Sequence, residues 1–244
     1  MTHPLLEIAA NSAASALPAQ EGGAGRVELC DDLSEGGTTP SYGTIAVARE
    51  RLHIPLYVLI RPRTGDFNYA PAEVEVMLRD IGNCVRLGCD GVVIGALDSA
   101  GDVDEAICRE LMATAGSIGT TFHRAFDAAR DQSTALEAII RLGCERVLTS
   151  GGEADASSGA TRIAGFVEQA ASRLKVMAGA GITADNIVEV ALRSNADELH
   201  GSARATRVSP SRHRNPSLRG LDLDWWESDA GRVRAMVGAL ESMN

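Results

Sequence analysis

Five polar side chains interrupt stretches that otherwise read as apolar strands: Glu7 in LLEIA, Glu28 in RVELC, Arg61 closing LYVLIR, His123 closing TTFH and His200 in ELHGS. Two carboxylates, two imidazoles and a guanidinium are the groups that acid–base catalysis and anion binding require. None fits the outer face of a buried strand, because burying a charge without a partner costs several kcal/mol. Strand alternation therefore points all five toward one interior cavity. A buried ion-pair plug, for instance Glu28 with Arg61, would explain the same pattern. The stretch TFHRAFD adds Arg124 and Asp127, spaced to pair with each other in the loop after the strand. His123 would then face Glu7 or Glu28, where a carboxylate favours the imidazolium and burial opposes it.

The elements that must position these groups are read from recurring β-rich runs, beginning at Leu5, Arg26, Leu56, Gly91, Thr120, Arg146, Lys175 and Glu198. Their spacing is that of a strand plus a crossover helix, the unit of a parallel sheet. Two of the intervening helices end at LGC, with a glycine suited to a helix C-terminus. Eight such units in 244 residues predict a single α/β domain over 1–244, a (β/α)8 TIM-type barrel. No early glycine-rich dinucleotide fingerprint supports a doubly wound sheet. Pro18 should kink or shorten the first helix. A Pro/Arg/Ser-rich irregular loop is expected over about 204–230, followed by a closing helix near Gly231–Met243.

In such a barrel chemistry sits at the C-terminal ends of the strands. The loops there are SEGGTTPS with Glu35, RPRTGDF with Arg63 and Asp66, TSGG with Ser150, GAGIT with Gly181, and HGSAR with Ser202. Arg63 could fork onto a carboxylate or phosphate, and the backbone around Gly181 and Ser202 could cradle a phosphate. Each loop reads equally as an ordinary turn, and Thr183 reads as a helix N-cap. Lys175, the one lysine, opens its strand at the far face, which argues against a Schiff-base mechanism.

Composition narrows the partners. A net charge of −10 argues against a nucleic-acid or anionic-membrane partner, and no apolar run is long enough for a membrane helix. Five scattered cysteines without a CxxC read as reduced thiols, which fits a cytoplasmic protein. The partner expected is a small molecule or a metal ion, and a homo-oligomer is left open.

The motifs RVELC, SEGGTTPS, IPLYVLIRPRTGDF, TFHRAFD, RVLTSGG, VMAGAGIT and LHGSAR together resemble the CutC family, named for copper homeostasis, over about Leu5–Asn215. The resemblance implies a TIM-type barrel, a cytoplasmic role in copper handling, and site positions at Glu7, Glu28, Glu35, Arg61, Arg63, Asp66, His123, Arg124, Asp127, Ser150 and His200. Copper would fall to Cys30, His123 and His200. Cysteines that some relatives carry are replaced here by Ala9 and Gly201. Cu(I) prefers thiolates. Two functions therefore stand side by side: copper binding, from the resemblance, and an enzyme for a small phosphorylated or carboxylated metabolite, from the residues. In the second, Glu7 or Glu28 is the base, His123 the acid, Arg61 with Arg63 the anion clamp, and Asp127 completes the catalytic set.

Overall fold

The computed structural model describes residues 4–217 and 221–243. Eight parallel strands close into a barrel in sequence order: β1 (Leu5–Ala10), β2 (Arg26–Leu29), β3 (Leu56–Leu59), β4 (Gly91–Ile94), β5 (Gly119–Phe122), β6 (Arg146–Thr149), β7 (Lys175–Gly179) and β8 (Glu198–Gly201). Closure pairs β8 with β1 and sets His200 level with Glu7. Seven helices follow the first seven strands: α1 (Ala13–Glu21), α2 (Tyr42–Arg51), α3 (Pro71–Leu87), α4 (Glu105–Ala115), α5 (Gln132–Leu142), α6 (Ala156–Ala170) and α7 (Ile187–Ser194). The last, α8 (Ala230–Glu241), packs against α1 and α7.

Alternation along the strands separates two apolar regions. Ile8, Val27, Leu29, Val58, Val92, Phe122, Val147, Val176 and Leu199 join the helices in the large outer core. Cys30, Tyr57, Leu59 and Val93 form a small separate cluster. The remaining inner positions mix polar groups such as Glu7, Arg26, Glu28, Thr121, Arg146, Glu198 and His200 with apolar ones such as Ala9, Leu148 and Met177, so the barrel interior is only partly an apolar plug.

Helix ends follow local chemistry. Ser12, Ser41, Asp104, Asp131, Asp155 and Asp229 each accept a backbone N–H from the first turn of the helix they cap. Gly88 and Gly143, the glycines of the two LGC motifs, take the left-handed conformation at their helix ends. Pro18 lies inside α1, which is nine residues long. Two expectations are revised. Thr183 is not an N-cap: α7 begins at Ile187 after Asn186, and the Thr183 N–H donates to Asn186 Oδ1. The expected irregular loop contains a two-stranded antiparallel ribbon, β9 (Arg204–Arg207) with β10 (Trp225–Ser228).

Candidate functional site

One cavity of about 1160 Å³ opens at the C-terminal ends of the strands. Glu28, Arg61, His123 and His200 line it, as do Glu35, Arg124, Asp127, Gly181 and Ser202. Glu7 does not: it is fully buried beneath His200. Four of the five expected inward groups thus share the cavity, and the fifth supports it from below.

Glu7, Glu28 and His200 form the centre. They come together because β8, β1 and β2 are consecutive around the barrel. His200 Nδ1 lies 2.7 Å from Glu7 Oε1, and its Nε2 lies 3.7 Å from Glu28 Oε2. Burial would raise the Glu7 pKa, but the Arg26 guanidinium and His200 hold it down to about 2. Burial pushes Glu28 up to about 7, aided by the Glu7 charge and opposed by His200 and Arg26. Burial also works against the His200 imidazolium, yet the Glu7 hydrogen bond and the Glu28 charge raise its pKa. The result is a fixed carboxylate, an imidazole held by it, and a second carboxyl poised near neutrality on the cavity wall.

Below this level lies the ionic plug, built from other residues than those expected. Arg26 bonds both Glu7 and Glu198, and Arg146 Nε lies 3.1 Å from Glu198 Oε2. The Tyr57 ring sits under both guanidiniums, at 5.2 Å from Arg26 and 4.9 Å from Arg146. Alternation alone could have found Arg26 and Glu198, since each stands two residues from an inward group, Glu28 and His200 respectively. Lys175, at the start of β7, lies 3.4 Å from Glu198 and far from the mouth.

His123 and Arg61 occupy the other side of the cavity. His123 faces neither Glu7 nor Glu28, because β5 lies across the barrel from β1 and β2. Its ring packs on Phe67 at 5.0 Å, in space that a Cβ at Gly95 would fill. Burial and the Arg61 charge push its pKa down to about 3, so it is a neutral imidazole. Arg61 does not pair with Glu28. Its Nη1 donates to the carbonyls of Glu35 and Gly37, and its Nη2 to that of Gly65.

The remaining candidates divide by location. Arg124 pairs with Asp127 at 2.7 Å and reaches Ser150 Oγ at 2.9 Å. The Asp127 carboxylate also accepts from Thr149 Oγ1, from the backbone N–H and Oγ of Ser150, and from the Gly152 N–H. With its lone pairs so occupied, Asp127 joins the loops after β5 and β6 and leaves no free oxygen for a substrate proton. Arg63 and Asp66 lie outside the cavity: Arg63 is tied to Asp66 and Glu73 and stacks over Tyr69. Arg63 therefore cannot join Arg61 as a clamp. Ser150 is buried behind the wall.

Cys30 does not meet His123 or His200. Its Sγ lies 3.6 Å from the Ala10 carbonyl, and burial with the charges of Glu28 and Asp31 raises its thiol pKa. Cys84, Cys89, Cys108 and Cys144 belong to the outer core. Among the described residues, the group whose donor atoms all lie within 4.8 Å of one another is Glu7, Glu28 and His200, with no sulfur.

Residues 4–205 match the CutC family. The chain belongs to the CutC family. It is 57% identical over 235 residues to a family protein CutC of Xylella fastidiosa, covering 96% of this chain and 88% of that one. A candidate copper homeostasis protein, CutC of Streptococcus agalactiae, has a solved structure that superposes with a TM-score of 0.78 at 33% identity. It covers 82% of this chain and 98% of its own. A phosphoribosylanthranilate isomerase from Thermotoga maritima, at 10% identity and a TM-score of 0.59, shares the barrel fold alone. Ala9 lies on the cavity wall, and a Cβ at Gly201 would meet the Met236 side chain at 2.8 Å.

Proposed function

We propose that the CutC barrel described here is an acid–base enzyme for a small anionic metabolite, with Glu28 as the proton-transferring group. The observation that carries this reading is the Glu7–His200–Glu28 chain, which ends on the cavity wall in a carboxyl with a pKa of about 7. A group half ionised at the working pH both takes and returns protons efficiently. Glu7, out of reach of substrate, orients His200. His200 in turn adjusts the charge of Glu28. Arg61 supplies a buried positive charge to which, among the described residues, no carboxylate is paired. A negatively charged substrate would complete that charge balance.

Copper, which the family name suggests, fits this donor set poorly. Cu(I) favours sulfur, and the gathered donors are two carboxylates and an imidazole, one carboxylate already engaged by Arg26. The acid–base reading uses no metal step. Five buried cysteines, all free, support a reducing, cytoplasmic setting.

The test is a screen of phosphorylated and carboxylated metabolites for consumption by the purified protein. A turned-over compound should lose at least about 100-fold in kcat with Glu28→Gln, the scale of general acid–base catalysis, while the variant melts cooperatively. Equal turnover by wild type and variant would overturn the assignment.

A further inference from the structure

Two buried hydrogen-bond donors, in residues that line the cavity, have no acceptor among the described residues. Arg61 and His123 are each 5% exposed, and both line the cavity. Three of the Arg61 donor contacts go to backbone carbonyls, but its Nε has no partner. His123 Nδ1 accepts the Ala125 N–H at 3.1 Å, which places the ring proton of the neutral imidazole on Nε2. That Nε2 also has no partner. Both groups pack on Phe67, the guanidinium at 5.1 Å and the imidazole at 5.0 Å from its ring centre. A buried donor left unsatisfied costs about 1–3 kcal/mol. Two such donors beside one ring in one cavity mark a position prepared for an acceptor.

We propose that Arg61 Nε–H and His123 Nε2–H together hold one sp² oxygen of the substrate, its carbonyl oxygen, in the cavity that Glu28 also lines. The proposal rests on the acid–base reading for its chemistry and deepens it to a substrate class: a small oxo compound with a C–H bond next to the carbonyl. The ionised Glu28 takes the proton from that carbon. The C–H electron pair moves into the carbon–carbon bond, and the carbonyl π pair moves onto oxygen, giving an enolate. The new negative charge faces the Arg61 guanidinium, and Glu28 then returns the proton to carbon. No oxidant, reductant or second substrate is required. His123 is a fixed donor to the oxygen in this arrangement and does not titrate during turnover.

The experiment uses the full chain with 15N-labelled histidine and three probes. Pyruvate carries both kinds of oxygen, acetate only a carboxylate, and dihydroxyacetone only a carbonyl. Histidine NMR should show the His123 Nε2–H tautomer throughout about pH 5–8, the range in which an ordinary histidine changes charge. Pyruvate and dihydroxyacetone should both move the Nε2–H signal; a signal moved by acetate and not by dihydroxyacetone would place a carboxylate there and overturn the enolate step. Pyruvate should bind at least about tenfold more weakly to His123→Phe and to Arg61→Gln. Protonation of His123 near pH 6, an unmoved signal with all three probes at saturating concentration, or unchanged pyruvate affinity in a folded His123→Phe would each overturn the proposal. Loss of turnover in Glu28→Gln together with an unmoved His123 signal would sink this oxygen site and leave the acid–base reading standing.

Discussion

Glu7 and His200 are register partners on the adjoining strands β1 and β8, and His200 Nδ1 meets Glu7 Oε1 at 2.7 Å. The other Glu7 oxygen is held by Arg26. Glu7 is therefore spent on fixing its neighbours, and His200 is left with Nε2 facing Glu28. Of two glutamates equally eligible in the sequence, only Glu28 lines the cavity.

Glu7→Gln should destabilise the fold by about 3–5 kcal/mol at pH 7, because it leaves Arg26 and His200 buried without their shared counter-charge. The folded Glu7 pKa, about 2, lies below the ordinary 4.5. Its contribution is thus complete above pH 4.5 and is lost as pH falls through 2. Denaturant melts should show a smaller gap between wild type and variant at pH 3 than at pH 7. A constant gap would mean that packing, not charge, accounts for the loss.

Glu28→Gln should have the opposite sign. With a folded pKa of about 7 against 4.5, the folded chain holds a proton that the unfolded chain releases, so Glu28 destabilises progressively from pH 4.5 to pH 7. The variant should be more stable than wild type by about 1–3 kcal/mol above pH 7 and equal to it below pH 4.5. Melting temperatures across that range check it. The gain in stability would accompany the predicted loss of turnover.

Asp127→Asn should loosen the loops after β5 and β6 without emptying the cavity of its acid. It removes the charge that Arg124, Ser150 and Gly152 share, at a cost of about 2–4 kcal/mol. Hydrogen exchange at the Ser150 and Gly152 amides should accelerate, while the Glu28 titration stays near 7. A displaced Glu28 titration would show that Asp127 acts directly on the site.

A Cu(I) titration under reducing conditions should give weak binding that Cys30→Ala leaves unchanged, since the Cys30 thiol lies apart from the carboxylate–imidazole group. Tight stoichiometric binding abolished by that substitution would restore copper as the ligand.

The barrel was legible because all eight strands carry β-rich runs at crossover spacing. Glu28 and His200 were legible as polar residues in apolar strands. Placement around the ring was harder. Strand alternation fixes whether a side chain points inward, and position along the strand fixes its height, but neither fixes its neighbours. Those follow from closure: β8, β1 and β2 are adjacent, so Glu7 meets His200, while His123 on β5 stands across the barrel beside Arg61. Arg63 is not legible as a non-ligand in the sequence, because only the fold of RPRTGDF turns it back on Asp66 and Glu73. The ribbon leaves no hairpin turn signal in the sequence, because its strands, RATR and WWES, lie too far apart.

That ribbon changes how the cavity is partitioned. The family match ends at residue 205, yet Trp226 and Arg232 of the cavity lining come after it. Glu28 and His200 lie within the matched stretch, whereas part of the entrance is furnished by residues after it, which the Xylella fastidiosa relative, aligned over 96% of this chain, also spans. Two barrels could keep the same proton chemistry and admit molecules of different size or charge by exchanging only this entrance. A substrate identified for one relative would then report faithfully on the reaction of another and poorly on its menu.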